Sequence, residues 1–272
     1  TNHDDGFESL DKWKECTSKD TAGRRIEVVP KRLVYQHNRS RAAGSGFPSV
    51  LDTGRSRGLS DHEVSALFGW TTGDYRFVNP IARGNQTTEF TDYPFLPQKL
   101  SKLTFVLTRE AVLPYVHVLS NALSKLPPEA GKQRFWRGHT RPVLPSTQEV
   151  VVLGNRFLLK GFASMTRDRE NALGFCTKAT DSSNESSSKE ERRTLLAIVE
   201  SKSGRCISKF SARSDEMEVL FPVDTMFEVV APPEDSFEED REVVQQATEK
   251  LQEKIPGAEI CLVYAKEVEA IE

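Results

Sequence analysis

Glu216-Met217-Glu218-Val219-Leu220-Phe221-Pro222 is a short apolar run opened by two carboxylates and closed by a proline. Its β-branched and aromatic residues favour an extended strand, in which successive side chains point to opposite faces. A period of two puts Glu216 and Glu218 on one face, about 6–7 Å apart, and Met217, Val219 and Phe221 on the other. Like charges that close, beside an apolar face, raise each other's cost of ionisation. Active sites use such pairs, and a solvated edge strand carries them too. A glycosidase acid and base is a poor reading, because those carboxylates flank the scissile bond, whereas neighbours on one strand face approach from one side.

Outward from this run, the second half of the chain reads as strands. Arg134 to Trp136, Glu149 to Leu153, Arg156 to Phe162, Thr194 to Glu200, Cys206 to Phe210, Glu218 to Phe221, Met226 to Val230 and Glu259 to Ala265 are short and rich in β-branched and aromatic residues. Gly154, Gly204 and Asp224 separate some of them. A helical insert follows Ser236, whose capping box with Glu239 precedes the stripe Val244, Ala247, Leu251 and Ile255, and Pro256-Gly257 ends it. The polar run from Thr180 to Arg193 reads as a mobile surface loop.

The first half reads as largely helical. Ser60 and Glu63 form another capping box ahead of Val64, Leu67 and Phe68. Val112, Val116, Leu119, Leu123 and Leu126 give a second stripe, stopped at Pro127-Pro128. The stretch from Arg39 to Arg57 mixes basic residues with Gly and Ser and reads as a flexible loop.

Composition narrows the function. The 272 residues carry 37 Lys+Arg against 40 Asp+Glu, a formal net charge of -3. A generic nucleic-acid binder would need net basic charge, so none is expected as partner. No run of roughly 18–20 apolar residues is present, so no membrane span is expected. Thr1 opens a polar segment without a signal-peptide pattern, which a chain starting at a mature terminus would share. The 4 cysteines are scattered and read as buried free thiols. Asn38, Asn85 and Asn184 head Asn-x-Ser/Thr triplets that suit a secreted glycoprotein and also arise by chance. There is no phosphate loop or dinucleotide fingerprint, and Ala66 stands where a metalloprotease helix after His62-Glu63 needs its second His. No metal is expected.

What remains is a set of polar residues inside apolar strands, where each needs a hydrogen-bond partner or a task. Arg137 follows Phe135-Trp136 and precedes Gly138, which suits either a strand-end Arg or an anion clamp with close backbone approach. Ser164 and Thr166 alternate with Ala163 and Met165 and share a face. By themselves they read first as ordinary strand-end turn hydroxyls, and also suit groups that orient a catalytic neighbour.

Taken in order, Arg137, then Ser164 with Thr166, then Glu216 and Glu218 resemble the Arg, Ser-x-Ser/Thr and Glu-x-Glu signature of arginine-specific mono-ADP-ribosyltransferases. Phe135-Trp136-Arg137-Gly138, the stretch from Gly161 to Thr166 with Ala172 and Phe175, the run from Glu218 to Pro222, and Phe227-Glu228-Val229 are similar to the family's surroundings. The likeness extends upstream to the run from Leu59 to Leu67 and to Tyr75 to Asn79, and spans about residues 55–268.

The resemblance implies an α+β fold: a split β-sandwich around an NAD cleft, with an N-terminal helical lobe. Residues 1–57 are then an N-terminal extension and 58–272 the transferase domain. Within it the helical lobe covers about 58–130 and the sandwich about 131–268, with a helical insert at about 236–255. The implied reaction moves ADP-ribose from NAD to an arginine of a target protein, releasing nicotinamide. Arg137 is implied to hold the NAD phosphates and ribose, and Gly138 to lie near the nicotinamide amide. Ser164 is implied to orient Arg137 and Glu218, with Thr166 in support. Glu218 would stabilise the oxocarbenium-like sugar, and Glu216 would receive the acceptor guanidinium and its proton. Phe175 is a candidate for stacking on nicotinamide, and Arg167 or Arg169 for meeting the diphosphate. Ser164-Met165-Thr166 departs from the family's common Ser-Thr-Ser, and the Ser-rich insert and the helix from Ser236 are long for it. An NAD glycohydrolase and a catalytically silent binding module are the alternative readings. Secreted toxin, delivered effector and endogenous regulator all stay open.

Overall fold

The computed structural model of the chain describes residues 17–19, 25–27, 47–90, 105–129, 133–139, 152–177, 192–211, 214–235 and 237–269. The chain forms two units. One comprises Thr1–Pro127, Lys160–Phe162 and Ile207–Ser214, and the other Pro128–Leu159, Ala163–Cys206 and Asp215–Glu272.

In the first unit, β1 (Thr17–Lys19) pairs with β2 (Arg25–Glu27), and helices α1 (Phe47–Ser56), α2 (Asp61–Gly69) and α3 (Tyr75–Ala82) follow. The hairpin of β3 (Thr87–Phe90) and β4 (Phe105–Thr108) then leads into α4 (Arg109–Lys125). The expected capping box opens α2, with Glu63 N–H donating to Ser60 Oγ and Ser60 N–H donating to the Glu63 carboxylate at 2.7 Å. That carboxylate is buried and also accepts from Asn121 and Lys125, so it ties α2 to α4. The C-cap of α4 is Leu126, just before the two prolines.

The flexible-loop reading of Arg39 to Arg57 is corrected from Phe47 onward, where α1 begins; residues 28–46 lie outside the described ones. Val50 and Leu51 pack against Phe68. Gly54, which looks like a flexibility signal, sits where an added Cβ would come within 2.1 Å of Val64. Gly58 adopts φ 75°, its N–H donates to Arg55 O, and Leu59 N–H donates to Gly54 O. Those two bonds are the left-handed cap that commonly ends a helix.

The second unit is a strand-rich layer structure. Its strands are β5 (Phe135–His139), β6 (Arg156–Leu159), β7 (Ala163–Thr166), β8 (Arg192–Glu200), β9 (Arg205–Cys206), β10 (Glu218–Phe221), β11 (Thr225–Val229) and β12 (Glu259–Val268). Helices α5 (Arg169–Thr177) and α6 (Phe237–Gln252) accompany them. The strands pair in the order β6-β11-β12-β8-β5-β7-β10-β9, with β8 and β12 parallel and the other neighbours antiparallel. Between β5 and β7 the register is a single pair, Trp136 with Thr166. The sheet therefore comes close to splitting there into five strands and three.

The two parts fold over one core. Phe221 of β10 meets Phe135 of β5 at 6.0 Å and Phe227 of β11 at 5.5 Å between ring centroids, although neither strand is its neighbour in the sheet. Leu196, Ile198, Val263 and Ala265 share this interior with Ala163, Met165 and Val219. Alternate residues of the same strands, Trp136, Leu195, Ala197 and Tyr264, face the other way and bury against Ala172, Leu173 and Cys176 of α5 and Val244 and Leu251 of α6. Period-two alternation with both faces covered produces this arrangement. The result is an α+β fold built on a mixed sheet folded over one core.

Several boundaries differ from expectation. Strand β6 stops at Leu159, and Gly161, where a Cβ would lie 2.6 Å from Asn79 Oδ1, starts a break before β7. The strand expected over Cys206 to Phe210 is only β9, followed by a 3-10 turn at Ser208–Phe210. Val152 and Leu153 are not in a strand, and residues 149–151 lie outside the described ones. The loop expected through Arg193 ends earlier: Arg192 opens β8, and Arg193 is fully buried with Nη1 donating to the Cys176 carbonyl. The rest of that run, and Ser236 of the second capping box, are also outside the described residues.

Candidate active site

Three strands of the second unit supply the site. Arg137 lies on β5 near the split, and its Nη1 donates to the Ser164 carbonyl of β7 at 2.6 Å. Ser164 Oγ in turn donates to Glu218 Oε1 of β10 at 2.5 Å. The β7/β10 register pairs Ser164 with Leu220 and Thr166 with Glu218, so the bond from Ser164 to Glu218 runs diagonally, within reach on a sheet face. One serine thus ties a guanidinium to a carboxylate that is 5% exposed. A buried carboxylate requires charge-assisted partners of this kind.

Glu216 is placed differently from the strand reading. It ends a 3-10 turn, Ser214–Glu216, and Met217 adopts φ 44° before β10 starts at Glu218. The period-two argument fails there because the chain turns through the left-handed region between the two carboxylates. Thr166 Oγ1 donates to the Glu216 carbonyl at 2.7 Å and accepts from Asp168 N–H at 3.0 Å. Thr166 therefore fixes the backbone of the turn that carries Glu216.

Gly138 has a structural reason to be glycine. An added Cβ would lie 2.0 Å from the Ala172 carbonyl of α5. Phe175, on the same helix, is 44% exposed. Arg167 pairs with Glu129. Arg169 lies over the Trp136 ring at 5.9 Å and donates to the buried Asp240 at 2.5 Å, so its guanidinium is part of an ion cluster. Arg134 and the Tyr264 hydroxyl also donate to Asp240. Burial and the Asp240 carboxylate push the Tyr264 phenol well above its usual range. Behind β5, burial pushes the Cys176 thiol up to about 11.

Two features escaped the sequence reading. Helix α5 carries a signal in Asp168, whose Oδ1 accepts from Glu170 N–H at 2.9 Å as an N-cap does, followed by the stripe Ala172, Leu173 and Cys176. His139 lies two residues after Arg137 on the same strand and accepts from Arg137 Nε–H at 2.9 Å. Period two alone would have paired them.

Among the described residues no group of three or more metal-ligating side chains occurs, and no helix is long and apolar enough to cross a membrane. An anchored guanidinium beside a buried carboxylate suits a ligand with phosphates and a sugar that becomes cationic.

Comparison with known proteins decides the family. Residues 49–255 match the family model described as ADP-ribosyltransferase exoenzyme. The chain belongs to the ADP-ribosyltransferase exoenzyme family. Members use NAD as substrate, and the chain is a transferase of ADP-ribose from NAD. No curated protein matches the sequence. Among solved structures, the ADP-ribosyltransferase exoenzyme-family chain is similar to the Vis toxin of Vibrio splendidus in complex with M6 inhibitor, at 18% identity over 89% of this chain and 91% of that one, with a TM-score of 0.51. It is also similar to the type III effector XopAI from Xanthomonas axonopodis pv. citri (17% identity, 98% and 89% covered, TM-score 0.47). A third is exoenzyme S from Pseudomonas aeruginosa, solved with human 14-3-3 protein beta and carba-NAD (14% identity, 88% of each chain, TM-score 0.45).

Proposed function

We propose that this exoenzyme-family chain is an arginine-directed mono-ADP-ribosyltransferase, with residues 58–272 as the transferase domain and Arg137, Ser164, Glu216 and Glu218 as the reacting set. The observation that carries it is the relay from Arg137 Nη1 to the Ser164 carbonyl and from Ser164 Oγ to Glu218 Oε1. Arg137 offers the planar donor fork that suits the NAD phosphates and ribose. Glu218, held by Ser164 Oγ, stabilises the positive charge that develops at the ribose carbon as its bond to nicotinamide breaks and nicotinamide keeps the electron pair. A pre-placed carboxylate sheltered from water typically supplies several kcal/mol at such a step.

Glu216 supplies acceptor choice. A guanidinium cannot attack while it keeps its full set of protons, and a carboxylate both binds it as a fork and takes the proton as the new C–N bond forms. Thr166 holds the turn that presents Glu216. Within this reading, Gly138 lies near the nicotinamide amide, Phe175 offers an exposed ring for stacking, and Arg167 stands near enough in sequence to β7 to meet the diphosphate. The partner is a target protein presenting an arginine, and the setting is that of a secreted or delivered protein.

The test separates the two carboxylates. With NAD and an arginine-bearing acceptor, Glu216→Gln is expected to stop transfer while nicotinamide release into water continues. Transfer that survives Glu216→Gln contradicts the arginine-directed role. Nicotinamide release unaffected by any arginine acceptor would make the chain an NAD glycohydrolase.

A further inference from the structure

We propose that His139 is a positioning residue for Arg137, holding the guanidinium in its ligand-binding orientation only while the imidazole is uncharged. The inference rests on the reading of Arg137 as the group that holds NAD. Its geometry stands on its own. A guanidinium in a protein keeps its protons, so the Arg137 Nε to His139 Nε2 contact of 2.9 Å has one direction: Nε–H donates and Nε2 accepts. Nε2 therefore carries a lone pair, the ring proton is on Nδ1, and the imidazole is neutral. Nη1 is held separately by the Ser164 carbonyl at 2.6 Å. One hydrogen bond leaves a planar group free to swing about it, whereas two from different atoms fix its plane. His139 and Ser164 are two such anchors, one from β5 and one from β7.

Protonation removes the His139 anchor and puts two cations in contact. The ionisable groups on the elements packed against β5 bear on this. On α5, Arg169 and Glu170 flank the helix start, Arg169 is bound to Asp240 over the Trp136 ring, and the Cys176 thiol is pushed up to about 11 and stays neutral. On β8, Thr194 is the register partner of His139, Arg193 is fully buried against the Cys176 carbonyl, Arg192 opens the strand, and Glu200 stands six residues further along. Strand β7 has no ionisable residue, and beyond it Glu218 accepts from Ser164.

The experiment compares the unaltered chain with His139→Ala and His139→Gln, measuring KM for NAD, kcat for nicotinamide release and melting temperature at pH 7.5 and 5.5. The unaltered chain is expected to show KM rising about tenfold on acidification. His139→Ala is expected to have that raised KM already at pH 7.5 with no further change. His139→Gln, whose amide oxygen accepts at any pH, is expected to recover at least half of the lost affinity with a flat profile, at an unchanged melting temperature. An unaltered KM in His139→Ala, or the same acid response in His139→Gln as in the parent, overturns the proposal. Nitrogen-15 NMR of the His139 ring tests it without turnover: the Nδ1–H tautomer is expected at pH 7.5, and the Nε2–H tautomer overturns it. If the ring shows the expected tautomer and no variant or parent turns NAD over, the functional reading fails and not the anchor.

Discussion

Ser164 uses its two oxygens in two directions, its carbonyl towards Arg137 and its hydroxyl towards Glu218. Side-chain substitution therefore separates the two links. Ser164→Ala keeps the carbonyl bond to Arg137 and removes the donor to Glu218, so KM for NAD is expected to hold within about threefold while kcat for nicotinamide release falls roughly 10- to 100-fold, somewhat less than for loss of a direct transition-state donor. At the same scale, the Cys176 thiol, pushed up to about 11 by burial against weaker lowering from the His139 backbone and Arg193, stays protonated at neutral pH. Alkylation at pH 8 followed by peptide mass analysis is expected to mark the exposed Cys261 and spare Cys176. Much of the residue scale was legible in the sequence: Arg137, Ser164 and Glu218 stood out as polar residues in apolar strands. Glu216 was legible as a residue but not in its setting, because the positive φ of Met217 has no signature in a side chain that is neither Gly nor Asn. His139 was overlooked among dispersed histidines, since its partner is visible only once the strand is known to include it.

At the scale of elements, carboxylates act as joints. Asp240 on α6 binds Arg134, Arg169 of α5 and Tyr264 of β12, and removing one partner of a buried charge cluster strands the others. Asp240→Ala is expected to lower stability by about 3–5 kcal/mol in denaturant unfolding, the cost typical of a broken buried pair. Glu63 joins α2 to α4. Burial raises its pKa, but hydrogen bonds from Lys125 and Ser60 outweigh that and hold it below the ordinary 4.5. A depressed carboxylate contributes stability above its unfolded pKa and loses it as pH falls through the folded one. Glu63→Gln is thus expected to cost about 1–3 kcal/mol at pH 7, with the gap closing as pH falls below the ordinary 4.5; a gap unchanged at pH 3 contradicts this. The cap at Ser60 and the helix stop just before Pro127 were readable because capping and proline chemistry are local. Helix α1 was not, because Gly54 and Gly58 look like flexibility signals until the packing of Val64 on Gly54 and the left-handed cap at Gly58 are seen. The early end of the polar loop at Arg192 was hidden because a buried arginine reads as a surface one in sequence.

Over the whole molecule, family membership and the site argue for NAD as the ligand of the native state. A ligand that binds only the folded chain stabilises it by mass action, about 2.7 kcal/mol at a hundredfold excess over Kd. For a chain of this size that is roughly 5–10 °C in melting temperature. The unaltered chain is expected to show that shift with NAD, and Arg137→Ala to lose most of it. The strand-rich half and its helical insert were legible because alternation and capping survive in the sequence. A split sandwich was expected from the family resemblance, but its place between β5 and β7 was not legible in the residues, since a single-pair register is a property of how strands splay, not of which residues they contain. The most direct measurement is transfer of labelled ADP-ribose from NAD to an arginine-bearing acceptor, comparing the unaltered chain with Glu218→Gln. Label on arginine with the parent, and a loss of at least about 100-fold with Glu218→Gln, is the expected result; label transferred equally well by both would contradict the account.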